Sequence, residues 1–139
     1  MDISNIVPEG LAVSPREYSP LALAFIGDAV YEVYVRARIL AEANTSANVL
    51  HKKAIGYVKA GAQAVAAKRI MESLSDDELA AFKRGRNAKS ATVPKNADVT
   101  DYRYATALEA LFGYLYLSGE TELLNKRMQE AFELTVKES

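Results

Sequence analysis

An all-α fold follows from three properties of this 139-residue chain: apolar residues recur at spacings of three and four, alanine is abundant, and capping residues punctuate the apolar runs. No segment shows the strict alternation of a half-buried strand. A hydrophobic content of 50% is enough to bury a core, and no repeat, low-complexity tract or linker divides the chain, so residues 1–139 are expected to form one domain.

The first helix opens at Ser19-Pro20, a cap followed by a proline at the first helical position, and runs to about Glu42 before Asn44-Thr45-Ser46. A second helix is expected from Thr45 or Ser46 through VLHKKAIGYVKAGAQAVAAKRIMES, weakened and bent near Gly56 and Gly61. Ser75 with Glu78 three residues on forms a capping box, so a short third helix starts there, with Gly85 predicting an early end. Residues 88–99, AKSATVPKNADV, read as an exposed basic loop. Thr100 is the expected cap of a fourth helix closed by Gly119, and a last amphipathic helix covers about Thr121 to Lys137.

Composition removes several chemistries. There is no cysteine, which excludes disulfides, thiolate metal sites and a cysteine nucleophile. The single histidine, His51, lies beside Lys52 and Lys53, where a surface position is expected; histidine-based metal clusters need more. The N-terminus carries acids and no apolar signal region, and no run approaches the ~18 apolar residues of a membrane span, so a cytoplasmic protein is expected.

The net charge of −1 hides a strong segregation. Between Ala43 and Ala97 there are ten Lys or Arg against four acids, a surplus of six, and no acid falls between Glu78 and Asp98. Lys83, Arg84, Arg86 and Lys89 lead into the loop that holds Lys95, and a basic helix end and loop of this kind suit phosphate contacts. An ordinary solvated face is the simpler alternative.

One stretch of the first helix, LALAFIGDAVYEVYV, sets Gly27 and Asp28 into an apolar run. Leu21, Ala24, Phe25 and Asp28 share a face, so Asp28 is expected to be at least partly buried. The fourth helix repeats the pattern: Glu109 is the only charged side chain in ATALEALFGYLYL, with Gly113 one turn on. Glycine inside a helix costs ~1 kcal/mol relative to alanine unless it permits close packing, so the two helices are expected to cross at these glycines. Facing carboxylates would share a proton or bind a hard cation such as Mg²⁺. A structural ion pair of Asp28 with Arg36, Arg38 or Arg103 stands as the alternative.

FIGDAVYE and, further on, ALEALFGYLYLSG resemble the two signature segments of ribonuclease III catalytic domains, in order and at a matching separation. The short chain, without a double-stranded-RNA-binding domain, is similar to the stand-alone Mini-ribonuclease III branch. The resemblance implies a helical ribonuclease III-type endonuclease domain, a homodimer, and Mg²⁺-dependent hydrolysis of double-stranded RNA. It further implies a place in ribosomal RNA precursor (23S rRNA) maturation, with an accessory ribosomal protein as a further partner. Asp28 and Glu109 match the family's metal-binding carboxylates, whereas Ala24 and Thr106 stand where the family usually has two more. RNA contacts are expected from Lys83, Arg84, Arg86, Lys89 and Lys95, with Lys52 and Lys53 as secondary candidates. The missing carboxylates leave open a second reading, an inactive RNA-binding or ribosome-associated scaffold.

Overall fold

The computed structural model describes residues 9–89 and 98–138, and among them it is helical without a strand. The helices are α1 (Pro20–Glu42), α2 (Ala47–Val58), α3 (Ala60–Ile70), α4 (Asp76–Asn87), α5 (Val99–Leu117) and α6 (Thr121–Glu138), with 3₁₀ turns at Pro15–Glu17 and Met71–Ser73. None of them is long and apolar enough to cross a membrane.

Capping sets most boundaries. Ser19 Oγ accepts from the Ala22 N–H at 3.1 Å, and Ser46 Oγ from the Val49 N–H at 3.3 Å. The capping box is complete: Ser75 Oγ accepts from the Glu78 N–H, while Glu78 Oε1 accepts from the Ser75 N–H at 3.1 Å. Gly119, with φ of +74°, takes the left-handed conformation that ends α5.

Three expectations need correction. The cap of α5 is Asp98, whose Oδ1 accepts from the Asp101 N–H at 3.0 Å, and Thr100 lies inside the helix. The helix expected to bend near Gly56 and Gly61 is two helices, because Lys59 between them is extended (φ −64°, ψ 152°). The Val58 carbonyl freed by that break accepts instead from Gln63 Nε2 at 2.9 Å. Gly85 does not end α4, which continues to Asn87. It serves close packing: a Cβ there would sit 2.7 Å from Ala110 Cβ and 3.0 Å from the Thr106 carbonyl oxygen.

Helix α5 lies at the centre, with ten of its residues buried, and α1, α3 and α4 pack around it. The core joins Val30, Tyr31, Val35, Ile70, Phe82, Leu108, Leu111, Phe112, Leu124 and Met128. Tyr31 lies against Phe112 (ring centroids 4.9 Å), and Tyr57 stacks on Phe132 at 4.2 Å. Arg127 of α6, 4% exposed, pairs with the equally buried Glu78 of α4 at 2.7 and 2.9 Å and also donates to Ser73 and Glu130. Its donors are thereby satisfied, the condition under which a charge can be kept out of water.

Candidate active site

The site is built on the crossing of α1 and α5. A Cβ added to Gly27 would overlap the Glu109 carbonyl oxygen, and one added to Gly113 would overlap that of Leu23. The two main chains are therefore in direct contact, as the paired glycines predict, and Asp28 and Glu109 project from the contact into one solvent-facing cavity of about 600 Å³. Asp28 is exposed rather than partly buried, because the apolar residues around it do not close over it: Phe25 beside it is 81% exposed. Glu109 is half-buried.

Partial burial pushes the Glu109 carboxyl up to about 9, helped by its hydrogen bond to Asp28 and by the Asp28 charge. The Gln63 amide acts in the opposite direction, and the charge of Glu32 adds to the rise. Two carboxylates held this close need a proton between them or a cation in its place. An all-oxygen pair of this kind fits a hard divalent cation such as Mg²⁺. Among the described residues no group of three or more His, Cys, Asp or Glu side chains comes together, so ligands from outside the protein would have to complete any coordination shell.

Ala24 and Thr106 line the same cavity. Ala24 is buried and apolar, and the Thr106 hydroxyl donates to the Tyr102 carbonyl at 2.9 Å, one turn back in its own helix. Neither replaces a carboxylate. Two polar residues beside the pair were not singled out by sequence reasoning. Glu32, one turn after Asp28, also lines the cavity; the i,i+4 spacing within FIGDAVYE was the available signal. Gln63 of α3 is 2% exposed, and its Oε1 finds no protein partner. It could not be found from sequence, because the α2–α3 break that brings it here carries no proline or turn motif.

The basic candidates divide. Lys83 and Lys89 are exposed at the end of α4, and Lys52 and Lys53 are exposed on α2 with His51. Arg84 instead braces the fold, since both its terminal nitrogens donate, at 2.8 Å each, to the carbonyls of Arg16 and Tyr18 and so strap the segment before α1 onto α4. Arg86 is half-buried and turned toward Asn87 and Met71. Lys95 lies outside the described residues. A second cavity, of about 390 Å³, adjoins the first through Leu21, Tyr102 and Thr106 and is rimmed by Lys89 and by Arg103, a cation missed as an RNA contact because the sequence offered it as a partner for Asp28.

Comparison with known proteins shows the family of the fold. Residues 21–120 match the Ribonuclease III domain family. Mini-ribonuclease 3 of Thermoanaerobacter sp. (strain X514) is 54% identical over 118 residues, 85% of this chain and 80% of that protein. Mini-ribonuclease 3 of Brevibacillus brevis is 49% identical over 131 residues, 94% of this chain and 98% of its own. A crystal structure of a Fusobacterium nucleatum protein superposes with a TM-score of 0.75 at 35% identity, covering 82% of this chain and 91% of that one. The chain belongs to the ribonuclease III domain family, alongside the Mini-ribonuclease 3 proteins, and is an endoribonuclease.

Proposed function

We propose that the protein is a Mg²⁺-dependent endoribonuclease that cuts double-stranded RNA as a cytoplasmic homodimer, acting on ribosomal precursor stems in 23S rRNA maturation, with a ribosomal protein as an accessory partner. The observation that carries the chemistry is the Asp28–Glu109 pair, two carboxylates fixed by a backbone contact at the floor of a solvent-facing cavity. Asp28 and Glu109 would hold the cation. When bound, Mg²⁺ supplies the Lewis acidity that activates water for in-line attack on phosphorus and steadies the departing 3′ oxygen. The carboxylates would orient that chemistry, and metal binding favours their deprotonated form. No side-chain nucleophile is required.

Double-stranded RNA is recognised mainly through phosphates and 2′-hydroxyls, which calls for cations beside the cavity rather than for a reading helix. Lys89 and Arg103 rim the adjoining cavity, and Lys83 is exposed on the preceding turn. Lys52 and Lys53, exposed on α2, are proposed as outer contacts, and Lys95 continues the basic segment in the sequence. Dimerisation is supported by Leu21 and Phe25, exposed apolar residues one turn apart on α1. Both border the cavity, so a symmetric pair would bring two sites to one duplex.

The test is cleavage of an end-labelled RNA duplex with Mg²⁺ and with excess chelator. The expected result is Mg²⁺-dependent product from the wild type and none from Asp28→Asn, with fold and dimer retained. Duplex binding without metal-dependent product would establish the scaffold reading instead.

A further inference from the structure

The Asp28–Glu109 site has two acidic side chains where its chemistry calls for more. Ala24 and Thr106, on one side of the pair, carry no charge, and the Thr106 hydroxyl already donates to the Tyr102 carbonyl. A small divalent cation held by only two carboxylates retains most of its hydration shell, and those waters need acceptors. On the other side of Asp28, one helical turn on, stands Glu32.

We infer that Glu32 is the third acidic partner of this site, accepting hydrogen bonds from the hydration waters of the cation held by Asp28 and Glu109. This rests on the metal-dependent reading of the site given above. Two observations support it. Glu32 lines the same cavity as Asp28 and Glu109. Its ion pair, to Arg36 at 3.6 Å, is a long, partly exposed i,i+4 contact that holds the carboxylate only weakly. Glu32 does not close with the other two into a cluster able to bind an ion directly, so its reach is through water. The acidic complement has in effect moved along α1, from the turn before Asp28 to the turn after it.

The experiment is isothermal titration of Mg²⁺ into the full chain, beside duplex cleavage as a function of Mg²⁺. Proteins compared are the wild type, Glu32→Gln and Arg36→Gln. Loss of an outer-shell partner typically weakens metal binding 10–100-fold. Glu32→Gln is expected to weaken Mg²⁺ binding about 10-fold and to shift the Mg²⁺ requirement of cleavage by the same factor, with thermal stability unchanged. Arg36→Gln, which breaks the ion pair but keeps the carboxylate, should bind Mg²⁺ at least as well as the wild type. Wild-type affinity in Glu32→Gln overturns the inference, as does an equal loss in Arg36→Gln, which would make the ion pair the operative feature. A wild type that neither takes up Mg²⁺ nor cuts duplex overturns the proposed function itself, a result distinct from either.

Discussion

Replacing Glu109 by glutamine should stabilise the metal-free protein at neutral pH while abolishing its cleavage. In the folded chain the Glu109 carboxyl is pushed from 4.5 to about 9, so at pH 7 it keeps a proton that the unfolded chain has released. The raised folded value fixes the sign: this contribution to stability is fully present below pH 4.5 and is lost as pH rises toward 9. At about 1.36 kcal/mol per unit, holding the proton at pH 7 costs at most about 3.4 kcal/mol. Solvent relaxation around a half-buried side chain reduces this to roughly 1–3 kcal/mol. Glutamine preserves the shape and removes the titration. Urea denaturation of wild type and Glu109→Gln in chelator, at intervals from pH 5 to 9, should show the stability difference growing with pH in favour of the variant. Saturating Mg²⁺ should reverse the order by stabilising only the wild type, since an ion bound by the native state alone adds to its stability. A difference that does not change with pH, or a variant less stable than the wild type at pH 8 in chelator, would refute the reasoning.

Gly27→Ala should be among the most damaging single substitutions, because the new methyl meets main-chain atoms of α5 that cannot rotate away. A loss above ~3 kcal/mol, or no soluble protein, is expected on thermal unfolding. Arg127→Ala leaves the buried Glu78 carboxylate without its partner and should cost about 3–5 kcal/mol by urea denaturation. Burial alone would raise the Glu78 carboxyl, but its bonds to Arg127 and Ser75 hold it below 4.5, so the wild type's share of this stability is lost as pH falls below that range. Lys89→Ala should lower duplex affinity and reduce the salt slope by about one, whereas Arg84→Ala should leave the slope unchanged and lower stability by ~1.5–3 kcal/mol per bond removed. Phe25→Glu should turn a dimer into a monomer in sedimentation equilibrium and leave helicity intact, because the ring makes no core contact within the chain.

The parts of the fold written in local chemistry were legible in the sequence. Ser19-Pro20 and the Ser75–Glu78 box announce their helices because a cap is a contact between residues two or three apart. Gly27 and Gly113 were readable as a crossing because glycine in a helix interior has little other use. What escaped depends on residues distant in sequence. The break at Lys59 involves an ordinary side chain in an extended conformation, compensated by Gln63. Gly85 carries the same letter as a helix terminator and acts as a packing notch. Arg84 looks like any other cation in a basic run until the carbonyls of Arg16 and Tyr18 come within reach. Within the site, Asp28 and Glu109 stood out because their flanks are apolar. Glu32, with Arg36 one turn on, has the pattern of an ordinary i,i+4 ion pair.

The glycine contact between α1 and α5 also bears on how the protein can change. A site whose spacing is set by side chains widens or narrows whenever a core residue is exchanged for one of another size. Here the separation of the two carboxylate-bearing helices is limited by main-chain atoms already touching, which no substitution elsewhere can shorten. Volume changes elsewhere in the core should therefore lower the melting temperature before they alter the spacing of Asp28 and Glu109. For a protein engineer, the interior can be redesigned for thermal tolerance with the carboxylate pair held as a fixed gauge, provided residues 27 and 113 remain glycine.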